Sequence, residues 1–307
     1  MLRFFLQRAF GALFTLWLAA TLAFTALRLA PGDAITLQLT LSGATEGQIV
    51  ARRAALGLDL PLSAQYLGML GGLLRGDLGV SLVNGRAVTA LIAEQLDSTL
   101  FLAIGALTIG TLLGLGLGVG AALGRAALQQ LCEALIALLL ATPIYWLGTL
   151  AIYLFAVWLG VLPSVSSGNS LQALLLPCGT LGVSLSGSIG QVAAAALREA
   201  KGAMFVQLAR AKGLPERLIV WRHMLRAHGG ALISLIGLQA GFLIGGAVIT
   251  EALFTRRGVG QLLLNAVNSR DYPVVQGVVL LSALAYSLLS TLGDVLAAWR
   301  DPRLQIS

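Results

Sequence analysis

Five stretches of this chain lack Asp, Glu, Lys and Arg: residues 9–27, 98–124, 134–197, 227–250 and 272–293. Each is about as long as, or longer than, the roughly 20 helical residues needed to cross a bilayer. Residues 134–197 are long enough for two crossings and break at Leu162-Pro163-Ser164-Val165-Ser166-Ser167-Gly168-Asn169, a turn-forming cluster. The expected fold is an all-α polytopic membrane protein, a single domain over 1–307, with spans at about 9–30, 98–123, 134–160, 171–197, 229–250 and 273–295. Composition agrees: 57% hydrophobic against 11% charged residues, with mean hydropathy +0.88, leaves more apolar surface than a water-soluble globule can bury.

A net charge of +7 would suit nucleic acid, but its placement argues for membrane topology. With the N-terminus inside, the inner segments carry Arg3, Arg8, Arg125, Arg198, Lys201, Arg210, Lys212, Arg217, Arg222, Arg226, Arg300 and Arg303. Only Glu133, Glu199, Glu216 and Asp301 oppose them. The segment 31–97 balances Arg52, Arg53, Arg75 and Arg86 against Asp33, Glu46, Asp59, Asp77, Glu94 and Asp97. The positive-inside rule then puts both termini in the cytoplasm and 31–97 outside, with lipid rather than nucleic acid as its partner. The first apolar run lacks a small-residue cleavage site and reads as an uncleaved anchor. Cys132 and Cys178 lie in or beside apolar runs without metal spacing and read as packing residues. In the outer segment, Pro31-Gly32-Asp33 reads as a helix stop. Leu62, Tyr66, Leu67, Leu70 and Leu73, within Pro61 to Leu74, have the spacing of an amphipathic cap helix.

The loop 198–228 is the most basic soluble stretch. Ala203 to Ala211 suits a short helix, Gly213 suits a left-handed C-cap, and Pro215-Glu216 can open the next helix. A helix-turn-helix elbow results. Its tip, Ala209-Arg210-Ala211-Lys212-Gly213-Leu214, combines small residues with two cations suited to an acidic groove; the same cations would also serve topology or bind anionic headgroups.

No Gly-x-x-x-x-Gly-Lys-Ser/Thr run is present, so the chain is not expected to bind a nucleotide or to be an enzyme itself. His223 and His228 lack a second ligand at zinc spacing, and no catalytic or metal residue is assigned. Glu251, Asp271 and Asp294 bound the last two spans. Glu251 reads as a structural partner of Arg256 or Arg257 at the outer surface, with a gate role as the alternative for Glu251 and Asp271, and Asp294 as a cap on the last span. Ser184, Ser186, Ser188, Gln191 and Gln239 suit either a translocation path or helix-to-helix hydrogen bonds.

The tip, followed by Arg222-His223-Met224-Leu225-Arg226, resembles the cytoplasmic coupling loop of permeases in the dipeptide, oligopeptide and nickel class of binding-protein-dependent ABC importers. The resemblance spans nearly the whole chain. It includes Leu29-Ala30-Pro31-Gly32-Asp33, Gly57-Leu58-Asp59-Leu60-Pro61-Leu62, Gly76-Asp77-Leu78-Gly79-Val80-Ser81 and Pro143-Ile144-Tyr145-Trp146-Leu147-Gly148. It continues through Gly245-Gly246-Ala247-Val248-Ile249-Thr250-Glu251-Ala252-Leu253-Phe254, Arg270-Asp271-Tyr272-Pro273-Val274-Val275-Gln276-Gly277 and Asp301-Pro302-Arg303. Phe205, Gln207, Leu208, Ala227 and Ala231 stand where the family commonly has Tyr, Arg, Thr, Asn and Pro.

The resemblance implies a peptide permease of the first-subunit type, in a bacterial inner membrane. It implies a second permease, two ATPase subunits holding ATP and Mg, and an extracytoplasmic substrate-binding protein. It also implies that Phe205, Ala209, Arg210, Ala211, Lys212, Gly213, Leu214, Arg222 and His223 form the ATPase-coupling loop. Import of nickel or a metal chelate is the alternative within the class; a membrane scaffold without transport is the alternative outside it.

Overall fold

The structure is a computed structural model that describes residues 2–29, 39, 44–55, 57–166 and 168–300. The Pro31-Gly32-Asp33 stop and Asp301-Pro302-Arg303 lie outside the described residues, as do the side chains of Arg3 and His228. All the regular structure described is helical apart from one isolated antiparallel bridge, Val80 to Ala87.

In chain order the helices are α1 (Leu2–Leu29), α2 (Glu46–Ala55), α3 (Leu62–Leu73), α4 (Val88–Leu123), α5 (Ala126–Ala141) and α6 (Ile144–Trp158). The first half of α6 is α-helical and Ile152–Trp158 is π-helical. Then follow α7 (Leu171–Lys201), α8 (Met204–Ala211) and α9, a composite of Glu216–Leu218, a π-helical Ile219–Met224 and Leu225–His228. The last four are α10 (Gly230–Gly246), α11 (Val248–Leu253), α12 (Val259–Asn268) and α13 (Tyr272–Arg300).

Among the described residues four helices are long and apolar enough to cross a membrane: α1, α4, α7 and α13. The number rises to six if each of two bent pairs is one span. The expected span at 134–160 is one of these pairs, because α5 and α6 meet at 103°. Pro143 has no N–H to continue the helix and drives Thr142 into extended backbone, φ −91° and ψ 122°. The second pair, α9 and α10, bends by 74°. The expected span 229–250 further divides at Ala247 into α10 and α11.

Helix α4 begins at Val88, well before the expected 98, and at about 1.5 Å per residue its 36 residues far exceed a hydrocarbon core of about 30 Å. Its first turns are retained because Val88, Leu91 and Ile92 bury against Val259, Val274, Val275 and Val278 of α12 and α13. The cap helix α3 forms, but Leu62 and Leu67 face outward, and its packing side carries Tyr66. The Tyr66 hydroxyl shares a 2.7 Å hydrogen bond with Thr21, and Arg28 donates to Gln65 Oε1 at 2.7 and 3.0 Å, so α3 is clasped to α1.

The central contact is α4 against α7. Without a hydrophobic drive between helices in lipid, close backbone approach must supply the attraction. Gly110, Gly114 and Gly118 supply it: a Cβ at Gly114 would lie 2.7 Å from Ile189 Cβ, and one at Gly118 would lie 2.5 Å from Ala193 Cβ. Leu102, Ala106, Leu181, Leu185 and Ile189 complete this core, with Leu232 and Leu243 of α10. Cys178 belongs to it, Cys132 lies buried elsewhere in the bundle, and both are free thiols. Helices α10 and α13 approach in the same manner at Gly237 and Gly293.

Candidate functional site

The loop 198–228 forms a compact elbow. Helix α7 ends at Lys201, Gly202 and Ala203 turn the chain, and α8 ends in a Schellman closure. Gly213 takes φ +71°, its N–H donates to Arg210 O at 2.9 Å, and the Leu214 N–H donates to Ala209 O at 3.2 Å. Pro215, extended at φ −66° and ψ 140°, then opens α9.

What makes the elbow rigid is a small core beneath it. Val206, Ala209, Ile219, Val220 and Met224 are buried against Ala122 at the end of α4 and against Leu197 and Ala200 of α7. Any force on α8 therefore reaches the two most tightly packed helices of the molecule. Arg198 adds a further tie, pairing with Glu133 of α5 and donating to Ala121 O at 3.2 Å.

The residues named from sequence separate into two groups. Ala209 and Leu214 face the core beneath the elbow, and His223 is half-buried. Phe205, Arg210, Ala211, Lys212, Gly213 and Arg222 lie on the outer face. Arg210 is engaged within the elbow, its Nε donating to Glu216 Oε1 at 2.7 Å. This hydrogen bond holds the Glu216 carboxyl below its ordinary value.

Sequence reasoning missed the apolar part of the exposed face: Met204 is 85% exposed, Trp221 57% and Leu208 55%. A signal was present. Val206 and Ala209 define the inward side of α8, so Met204 and Leu208, four residues apart, fall where a solvated helix would carry polar groups.

At the opposite end, Glu251 and Asp271 occupy separate networks. Glu251 is fully buried and accepts from Thr99 Oγ1 at 2.6 Å and Gln261 N at 3.0 Å. The expected surface pair with Arg256 or Arg257 is not what holds Glu251. Arg256, itself buried, donates to Gly168 O at 2.7 Å, Asn169 Oδ1 at 2.6 Å, Ser98 O at 3.1 Å and Ser166 Oγ at 3.0 Å. Geometry explains the difference: a guanidinium has five donors, and the four acceptors from Ser98, Ser166, Gly168 and Asn169 engage both terminal nitrogens, more than one carboxylate could. Asp271 accepts from Ser81 Oγ and, at 3.0 Å, from Leu82 N, pinning the tight turn after the Val80 bridge.

Asp294 pairs with Arg8 of α1. Of the polar residues within spans, Gln239 donates to Ser188 at 3.0 Å, linking α10 to α7, while Ser186 and Ser188 donate back to their own helix. Gln191 is exposed.

A bundle of long apolar helices joined by close glycine contacts, with an elbow packed on the ends of α4 and α7, is the architecture of an all-α polytopic membrane protein. The fold is shared with a chain in a structure of the MetNI methionine ABC transporter in inward-facing conformations, at TM-score 0.56 and 19% identity over 69% of this chain and 97% of that one. Residues 110–306 match the model of the binding-protein-dependent transport system inner membrane component, and residues 1–103 match its N-terminal companion. The chain belongs to this family, as a multi-pass permease subunit.

Its relatives include glutathione transport system permease protein GsiC from Salmonella choleraesuis strain SC-B67, 34% identical over 99% of both chains. The proteins of the same name from Pectobacterium atrosepticum and Escherichia coli K12 are 34% and 33% identical over the same shares.

Proposed function

We propose that this permease forms half of the path of an ATP-driven peptide importer, with the elbow at 198–228 as the element that a partner ATPase grips. Peptide cargo is favoured by full-length similarity to permeases named for the transport of glutathione, a tripeptide. The observation that carries the elbow's role is its construction. An exposed apolar face of Met204, Leu208 and Trp221, flanked by Lys212 and Arg222, is mounted on a buried core continuous with α4 and α7. Buried apolar anchors ringed by polar groups are the usual energetic centre of protein interfaces.

In this reading six spans place both termini and the elbow in the cytoplasm. A second permease completes the path, and two ATPases, which hold ATP and Mg, grip one elbow each. A binding protein delivers cargo to the outer face, including the segment 31–97. Closure of the ATPases would drive each elbow as a lever and switch access between the two sides of the membrane.

Reconstitution of the complete complex in proteoliposomes tests this reading. ATP hydrolysis should rise when the binding protein is loaded with short peptides and stay basal when it is empty or carries a nickel chelate. Stimulation by the nickel chelate instead would reassign the cargo. Leu208→Asp or Trp221→Ser should weaken ATPase association by about tenfold or more, as expected for anchor residues. Unaltered association in both variants would remove the elbow from the interface.

A further inference from the structure

A polar cavity of about 460 Å³ lies where α1, α10 and α13 fail to close on one another. Its lining includes Arg8, Asp294, Thr15, Ser287, Ser290 and Thr291, of which Thr15 and Ser290 donate to carbonyls of their own helices. We propose that this cavity binds the headgroup of a zwitterionic aminophospholipid, of the phosphatidylethanolamine type.

Depth is the first reason. Arg8 immediately precedes the charge-free run 9–27 and Asp294 immediately follows 272–293, so the ion pair marks one boundary of the bilayer. From Arg8 to Thr15 the helix rises about 10 Å, which spans the interfacial layer and enters the hydrocarbon.

Charge is the second. A cationic pocket alone would select an anionic headgroup by its phosphate. Here Asp294 stands beside the guanidinium and repels a second negative charge, while it can accept from an ammonium. Arg8 can donate to the phosphate, and Ser287 and Thr291 in the same lining can donate to its oxygens. The two protein charges and two ligand charges then alternate, each with an opposite neighbour.

Surroundings are the third. The walls continue into surfaces that suit acyl chains, since Phe10, Leu13 and Phe14 on α1 and Leu288 and Leu292 on α13 are all exposed. A transported peptide would have no use for that apolar flank. The inference itself needs only that the chain is embedded in a membrane; its test uses the complex of the importer reading, and a complex that retains lipid but shows no peptide-stimulated ATP hydrolysis would overturn that reading and not this one.

The purified importer complex, without ATP, provides the test. It is placed in nanodiscs of phosphatidylcholine and phosphatidylglycerol with a small fraction of phosphatidylethanolamine, and lipid retained after transfer to detergent is read by native mass spectrometry. About one phosphatidylethanolamine per copy of this chain is expected, above its share of the nanodisc, because the choline headgroup has no N–H to donate to Asp294.

Arg8→Ala should lower retention about tenfold, as loss of a charge-assisted contact. Asp294→Asn should turn the preference toward phosphatidylglycerol, an exchange of selectivity that a merely destabilised protein would not show. The double variant Ser287→Ala/Thr291→Val leaves the ion pair intact and should lower retention by about threefold to tenfold. The proposal is overturned if the wild-type complex retains the three lipids in proportion to their supply. It is equally overturned if Asp294→Asn leaves selectivity unchanged, or if excess cargo peptide displaces the lipid.

Discussion

Arg256 shows how much a single residue can hold at the end of the bundle away from the elbow. It bridges the carbonyls of Ser98 and Gly168 and the side chains of Ser166 and Asn169, so the turn between α6 and α7 is fastened to α4 through one guanidinium. Arg256→Lys keeps the charge but loses the fork, and should lower complex stability by about 2–3 kcal/mol in thermal unfolding, because buried acceptors lose their partners. An unchanged midpoint would mean that the guanidinium's reach is not needed.

Gly258 is a second such position, since a Cβ there would run into the Glu251 carboxylate. Gly258→Ala should cost about 1–3 kcal/mol as overpacking, whereas Gly68→Ala, with nothing within 4 Å, should be neutral. Equal melting of the two variants would contradict the packing around Glu251. The exposed pair of Arg210 and Glu216 is different in kind. Because Glu216 is held below its ordinary value of 4.5, whatever the pair adds is fully present above that pH and is lost only as pH falls through the lowered value. Coupling measured between pH 6 and 8 should therefore show no step from this pair, and Glu216→Gln should change stability by no more than about 1 kcal/mol.

At the scale of elements, the α4–α7 contact is the mechanical spine. Gly114→Val should prevent these helices from closing, because its Cβ alone would meet Ile189, and the complex should fail to assemble or melt far below the parent. Gly116, two residues away with nothing within 4 Å, should accept Ala without loss. If Gly114→Val assembled normally, glycine contact would not be what joins the pair. The elbow is the other decisive element. Its Gly213 is left-handed at φ +71°, a conformation closed to proline, so Gly213→Pro should abolish ATP-coupled uptake while membrane insertion persists. Uptake at the parental rate would show that the Schellman closure is dispensable.

For the molecule as a whole, the bent pair α5 and α6 decides the topology. If the pair crosses the bilayer once, Arg125→Cys and Ser164→Cys should be labelled by a membrane-impermeant thiol reagent from opposite sides. Background should be low, since Cys132 and Cys178 are both buried. Labelling from one side would make the pair a re-entrant loop and reduce the crossings. The structure thus links one end of the bundle, tied by Glu251, Arg256 and Asp271, to an elbow at the other, through the long helices α4 and α7.

The apolar runs, the break at Pro163, the elbow's Gly213 and the full-length family motifs were legible in sequence, because helix length, proline chemistry and left-handed backbone are local properties. The split at Pro143 was legible in the same way, yet hydropathy passes over it, since a bent helix is no less apolar than a straight one. Other features belong to tertiary structure alone. That Glu251 finds Thr99 and Gln261 rather than an arginine depends on which groups the fold brings within 3 Å. That Met204, Leu208 and Trp221 stay exposed while Val206 and Ala209 are buried depends on where α4 and α7 end. Composition selects lipid as the solvent and chain-local chemistry selects the helices. Which polar group meets which, and which apolar face is left open, is decided only when helices distant in sequence pack together.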